Sequence, residues 1–314
     1  MRRRPVAHSR RVRRSCEARK SHRAVRNKIR ERKLRGNKMN IGIVGLGLIG
    51  GSLARSIRQS TDNKVYGYDK KDSVVLKAQV FKAIDAELTP EILPTCDMVI
   101  IALYPEDTVS FVTRNKDKFK KGCIVLDTCG VKKCVCEPLF EVAKENGFTF
   151  IGAHPMAGIE FSGFDASRNT LFEDASMIIV PTPYITIDEM REVKQLFTKI
   201  GFSHFEITDA DKHDKVIAVT SQLAHVVSSA YVKSPTAPMY KGFSAGSFKD
   251  MTRVARLNEK MWTELFFDNK ENLINEIDGM IERLKEYSDA LKNDDRDGLC
   301  ELLRQGREVK ISLD

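Results

Sequence analysis

A chain of 314 residues with 42% hydrophobic and 30% charged residues has the make-up of a soluble globular protein, long enough for two cored domains. No apolar run approaches the roughly eighteen residues that a membrane helix requires. The formal charge of +9 belongs to one end: residues 1–38 carry 17 Lys/Arg against Glu17 and Glu31, while residues 39–314 carry 35 basic and 41 acidic residues, so nucleic-acid binding is not expected of the body.

The opening segment "MRRRPVAHSRRVRRSCEARKSHRAVRNKIRERKLRGNK" has too few large apolar residues to build a core, and residues 1–38 are read as a basic, disordered extension. Its Arg-rich, acid-poor make-up also fits an organelle-targeting peptide or a surface-binding arm, but it has no apolar face and no apolar signal core follows. Met39 stands one residue before the first strand, where a natural start would fall. Seven cysteines at irregular spacing suit a reducing, cytoplasmic setting rather than a disulfide framework. Cys129, Cys134 and Cys136 crowd together in "CGVKKCVC" without a CxxC pair or a nearby histidine, so no metal site is expected.

From residue 40, short apolar runs alternate with amphipathic stretches. "IGIV" (41–44), "KVYGYD" (64–69), "DMVIIAL" (97–103), "CIVLD" (123–127), "FTFIG" (148–152) and "SMIIVP" (176–181) read as buried strands. "SLARSIRQS" (52–60), "SVVLKAQVFKA" (73–83) and "EPLFEVAKENG" (137–147) read as helices, the last with Pro138 at its start and Gly147 as its stop. This alternation predicts an α/β doubly wound parallel sheet over residues 39–206. After "GFSHFEIT" (201–208) the pattern turns helical, over 209–233 and 258–312, with a Pro/Gly/Ser break at 233–247. Residues 207–314 are therefore read as an all-α second domain. "ENLINEIDGMIERLKEYSDALK" (271–292) carries apolar residues at helical spacing, a candidate dimer seam or ordinary intrachain packing. About 22 residues follow it, too few for an appended regulatory domain.

"IGIVGLGLIGGSLA" places Gly45, Gly47 and Gly50 in G-x-G-x-x-G spacing between a strand and a helix, with Asp69 ending the next strand. The glycines allow a tight turn, close approach of a pyrophosphate, and close helix–strand packing, and the helix start offers free N–H groups. Gly45, Leu46, Gly47, Leu48, Ile49 and Gly50 are thus the expected cofactor loop. Asp69 can accept both ribose hydroxyls and repel a 2′-phosphate, favouring NAD over NADP, although Lys70 and Lys71 beside it soften that preference.

In an open parallel sheet, ligands bind beyond the carboxyl ends of the strands. "YPED" (104–107), "TCGVK" (128–132) and "AHPMAGIE" (153–160) should therefore line one cleft with the nicotinamide. His154, in the glycine-flanked setting of "GAHPMAGIEFSG", reads as a general base at the end of a strand or as a structural histidine. Metal ligation by it would need partners that do not stand close in sequence.

"DTCGVK", "GAHPMAGIE", "TSQLAH" (220–225), "GSFKDMTRVA" (246–255) and "MW" (261–262), in this order behind the glycine loop, resemble the prephenate/arogenate dehydrogenase family over essentially all of residues 40–314. The resemblance implies oxidation and decarboxylation of prephenate to 4-hydroxyphenylpyruvate, or of arogenate to tyrosine, with NAD(P), in a homodimer built through the helical domain. Carried onto this chain, His154 becomes the base for the ring hydroxyl, Arg253 the holder of a substrate carboxylate, and His225 a substrate-pocket histidine. Glu160, Gly246, Asp250 and Trp262 match positions at or supporting the pocket. A dianionic substrate independently asks for a bidentate cation, which arginine provides.

Two positions depart from the family pattern. Many relatives carry serine at Gly130, which leaves Thr128 or a water as the expected partner of His154, and some carry histidine at Gln222. The bland readings are a surface salt bridge for Arg253, a core role for Trp262, a helix cap for Asp250 and solvation for Lys132. A β-hydroxyacid or imine-type reductase would rely on a lysine or aspartate in the helical domain, without the histidine motif. A non-catalytic NAD-binding regulator would keep the glycines but not need His154.

Overall fold

Each of the expected apolar runs becomes a strand of one eight-stranded sheet in the computed structural model, which describes residues 38–159 and 161–313. The chain divides into residues 1–39 and residues 40–314, and the second unit carries the sheet. The extension expected over residues 1–38 lies outside the described residues, apart from Lys38.

The first half of the sheet comprises β1 (Asn40–Val44), β2 (Lys64–Tyr68), β3 (Ala86–Glu87), β4 (Met98–Ile101) and β5 (Ile124–Asp127). Between them run α1 (Leu48–Ser60), α2 (Asp72–Val80) and α3 (Pro105–Arg114). Then follow α4 (Lys133–Asn146), β6 (Thr149–Met156), β7 (Ser176–Pro181), α5 (Ile187–Lys199) and β8 (His204–Ile207). The strand order is β3-β2-β1-β4-β5-β6-β7-β8, and all pairs are parallel except β6 with β7. Strands in the middle are buried on both faces, which is why they read as unbroken apolar runs. Ile41, Ile43, Val44 and all of Met98–Ile101 have no exposed surface, each large side chain contributing about 1.5–3 kcal/mol of burial.

Two boundaries near the site differ from the sequence reading. β6 continues four residues past Gly152, because His154 and Met156 pair with Ile178 and Ser176 of β7. His154 is therefore held within the strand by its pairing with Ile178. α4 starts at Lys133 rather than beside Pro138, so the proline lies inside the helix. The local sequence supplies no side-chain cap there. The cap comes instead from Asp214, 82 residues away, whose carboxylate oxygens accept the backbone N–H groups of Lys132 (2.8 Å) and Lys133 (2.9 Å). Gly147 ends the helix in the left-handed region as expected (φ +72°).

Residues 210–313 are helical. α6 (Ala210–Ile217) passes through a π-helical turn at residues 218–222 into α7 (Leu223–Val232), followed by α8 (Ser247–Thr252). The helical stretch expected over 258–312 holds three helices: α9 (Glu259–Asp268), α10 (Lys270–Lys292) and α11 (Arg296–Leu313). The breaks fall at Asn269, whose buried amide bonds neighbouring elements, and at Asp294, which takes a positive φ. Among the described residues no helix is long and apolar enough to cross a membrane.

Candidate active site

The turn between β1 and α1 forms a cradle for a pyrophosphate. Gly45 has φ +88°, and a Cβ there would strike the carbonyl of Ala102. A Cβ on Gly50 would overlap the Gly45 carbonyl oxygen, so helix and turn touch through backbone alone. At Gly47 the corresponding space is open. The first intrahelical bond of α1 runs from Gly51 N to Gly47 O, which leaves the N–H groups of Leu48, Ile49 and Gly50 without intrahelical acceptors. No acidic residue stands in that first turn, and the helix dipole favours an anion there. The donor set fits a dinucleotide pyrophosphate. The side chain of Leu46 is wholly buried, so it contributes core packing instead of a ligand contact. Its backbone N–H binds Asp69 Oδ2 and that of Lys71 binds Oδ1, both at 3.0 Å, which fixes the carboxylate beside the glycine turn.

His154 stands near the carboxyl end of β6 and is partly accessible. Its Nδ1 lies 3.0 Å from Nε2 of His213, and His213 Nδ1 lies 2.7 Å from Asp214 Oδ1. The proton positions follow from Asp214. Its carboxylate accepts from the backbone N–H groups of Lys132 and Lys133, so it also accepts from His213 Nδ1. A neutral His213 then presents a bare Nε2, which accepts the Nδ1–H of His154. The Nε2 of His154 is left unprotonated. Burial, then the charges of His213 and Lys132, push the pKa of His154 well below its ordinary value. Burial also lowers that of His213, against the pull of Asp214. A neutral imidazole with a free Nε2 is the form a general base needs at neutral pH.

The strand beneath His154 is fixed by a buried ion pair. Asp127, at the end of β5, accepts the Ala153 N–H at Oδ1 (3.0 Å), while its Oδ2 accepts the Cys129 N–H and the ammonium of Lys132. Both side chains are fully buried, so Lys132 is not the solvated lysine the sequence reading allowed. Removing one partner of such a pair costs about 3–5 kcal/mol.

A second cluster comes from the helical region. The His225 ring packs on Trp262 with centroids 3.8 Å apart, and its Nδ1 donates to Ser221 O at 2.9 Å. Its Nε2 is thereby the free nitrogen. Burial lowers the His225 pKa, and the charge of Arg253 adds to this, which places that guanidinium within electrostatic reach. Arg253 is exposed and makes no ion pair among the described residues, so the surface salt bridge is not seen. Gly246 and Asp250 lie at the start of α8, joined by a backbone bond of 2.9 Å. Glu160 lies outside the described residues. α9 links the two clusters: Trp262 and Leu265, three apart on one helical face, meet His225 and Gly130 respectively.

Both departures from the family pattern acquire a geometry. A Cβ on Gly130 would sit 4.0 Å from His154 Nε2 and 3.6 Å from Leu265, in ordinary contact. Thr128 does not take the place of the missing hydroxyl, because its Oγ1 donates to Ile101 O (3.4 Å) and the partner of His154 is His213. Gln222 faces the interior: its Nε2 donates to Leu265 O and its Oε1 accepts from Asn269, which also bonds Asp214 O. Sequence reasoning missed His213, Asp214 and Asn269. The only local signal was "KHDK" (212–215), a His–Asp dipeptide in the first helix after the last strand.

Residues 53–205 match the family model for the nucleotide-binding domain of prephenate dehydrogenase, and residues 209–305 match that for its dimerization domain. The chain is 30% identical over 285 residues to a cyclohexadienyl dehydrogenase of Zymomonas mobilis, covering 87% of this chain and 96% of the relative. It is 27% identical to a prephenate dehydrogenase of Bacillus subtilis, covering 88% and 76% of the two. The crystal structure of prephenate dehydrogenase from Aquifex aeolicus, in complex with hydroxyphenyl propionate and NAD+, superposes with a TM-score of 0.77 at 28% identity, covering 88% of this chain and 99% of that one.

Proposed function

The chain belongs to the prephenate dehydrogenase family, and we propose that it carries out the NAD-dependent oxidative decarboxylation of prephenate to 4-hydroxyphenylpyruvate. The observation that carries this reading is the chain from His154 Nδ1 through His213 to Asp214, which turns Nε2 of His154 into the acceptor. The Aquifex relative's bound pair, NAD+ and a hydroxyphenyl acid, is the cofactor and ring type the reading requires.

A bound NAD+ supplies the hydride acceptor. The glycine turn and the first-turn N–H groups of α1 would hold its pyrophosphate, and Asp69 its ribose hydroxyls. His154 takes the proton of the ring hydroxyl while hydride leaves the same carbon. The bond to the ring carboxylate breaks, CO2 departs, and its electron pair completes the aromatic ring. The Nδ1–H of His154 keeps its acceptor in His213 throughout, so the new imidazolium is stabilised without rearrangement. Arg253 binds a carboxylate of the dianion in bidentate fashion, with Trp262 and His225 as the wall beside it. Aromatisation drives the step, so the protein's task is orientation and proton acceptance.

Arogenate has the same ring chemistry and is the second reading, favoured by likeness to a relative named for the cyclohexadienyl ring. The two substrates differ in a keto against an ammonium group. The helical region is proposed to hold a homodimer together. Its longest helix, α10, buries only Leu273 while Ile274, Ile281, Leu284 and Leu291 stay more than half exposed.

The test is NADH formation by the full chain, followed at its absorbance, with prephenate and arogenate in parallel. Turnover with prephenate is expected, and preference for arogenate selects the second reading. No NADH with either acid overturns both.

A further inference from the structure

A cavity of about 520 Å³ lies at the far end of α1 from the glycine turn, and the proposed reaction does not use it. It is built where α1 ends, where α2 turns toward β3, and by the segment at residues 167–169. Arg58 stands ten residues along α1 from Leu48, about 15 Å from the helix start at 1.5 Å per residue, and none of the glycine-turn residues lines the cavity.

Four cations line the cavity, Arg55, Arg58, Lys82 and Arg168, together with the amides of Gln59 and Asn169, and no carboxylate does. Two of the cations are held in place. Arg55 Nε donates to Ser167 Oγ at 2.9 Å, and its guanidinium lies over Phe164 (4.6 Å) and Phe81 (5.4 Å). Arg58 pairs with Asp85 at 3.2 Å, outside the lining, while its buried Nε has no hydrogen-bond partner. The other two are uncompensated: the Lys82 ammonium and the Arg168 guanidinium make no ion pair among the described residues. Lys82 also occupies the left-handed position that closes α2 (φ +54°), where glycine is the usual residue. A lysine there carries a backbone cost and places one more positive charge on the cavity wall.

Like charges gathered without counter-charge repel one another, and an anion between them relieves that repulsion. We propose that this cavity binds a small, multiply charged oxyanion, a phosphorylated or polycarboxylate metabolite. Its volume suits a ligand of that size, and arginine forks beside amide donors match planar oxyanions.

The test is calorimetric titration of the full chain at low ionic strength with inorganic pyrophosphate and, separately, citrate, each with and without saturating NAD+. At least one probe is expected to bind saturably, with affinity unchanged by NAD+. In the Lys82→Gln/Arg168→Gln double variant, whose replaced side chains are exposed, affinity should fall at least about tenfold while dehydrogenase turnover stays the same. Binding of pyrophosphate alone assigns a phosphorylated ligand, binding of citrate alone a polycarboxylate, and binding of both a site that reads charge. Three results each overturn the proposal: no saturable heat from either probe, complete displacement by NAD+, or equal affinity in the variant.

Discussion

The sheet unit and the helical region solve opposite problems with the same chain. In the sheet, strands β1, β4 and β5 are buried on both faces, and the proposed base stands on a strand bonded on both edges of its buried part. In the helical region, α9 and α11 bury no residue and the proposed carboxylate holder, Arg253, is exposed. The difference teaches where precision and adaptability reside. A proton acceptor must stay within hydrogen-bond reach of one oxygen, and strand pairing together with the Asp127–Lys132 pair fixes its backbone. A cation that captures a dianion can approach from a mobile side chain, since its attraction acts over several ångströms.

Substitutions can break this contrast, and the largest effect is expected at the base. His154→Asn should lower kcat by about 10²–10⁴-fold with little change in KM, measured by steady-state NADH formation. Unchanged turnover would remove the base role. Because burial depresses the His154 pKa, the acid limb of kcat/KM should lie below about pH 6.5, the ordinary histidine value. The same sign applies to stability: the neutral imidazole is favoured in the fold, so stability is held above the unfolded pKa and lost as pH falls toward the folded one.

His213→Asn tests whether the helical region sets the base from a distance. Loss of alignment should cost on the order of 10²-fold in kcat. The acid limb should also shift in pH, since His213 Nε2 faces the Nδ1 of His154 at 3.0 Å. A fall in kcat with an unmoved limb would make His213 merely structural. Arg253→Gln should instead raise KM for prephenate by about 10–100-fold, the loss of a charge-assisted pair, and a normal KM would return Arg253 to the surface.

The exposed apolar face of α10 can be broken in turn. Ile281→Glu places a charge in the proposed dimer seam, so sedimentation should show a monomer where the unaltered chain sediments as a dimer. An unaltered chain that is monomeric would refute the seam. The smallest effect is expected at Gly130, which has no positive φ and has ordinary space for a side chain. Gly130→Ser should stabilise the fold by about 0.4–1 kcal/mol, read by denaturant midpoint, and set a hydroxyl beside His154 Nε2. A destabilised variant would mean that the space near Leu265 is tighter than its 3.6 Å contact implies.

The dinucleotide cradle was legible because its parts are contiguous. A strand, three glycines and a helix start lie within residues 40–60, and Asp69 follows at the end of the next strand. His154 is legible in sequence as a residue at the end of a strand, but the length of that strand is not. The apolar run stops near Gly152, and pairing with β7, not side-chain pattern, carries the strand on. For Lys132 the sequence allowed solvation, since a lysine shows its burial only when Asp127 is seen beneath it.

What the sequence determined by itself was the layered α/β unit and the glycine turn between its first strand and first helix, since each is written in spacings of a few residues that local backbone physics converts directly into shape. The tertiary structure alone decided which nitrogen of His154 is free, through a histidine 59 residues away and a carboxylate that also caps α4. It also turned Gln222 inward and gathered four cations around one cavity. Such pairings join positions that no periodicity relates, and only the packing of the helical region against the sheet brings them within hydrogen-bond distance.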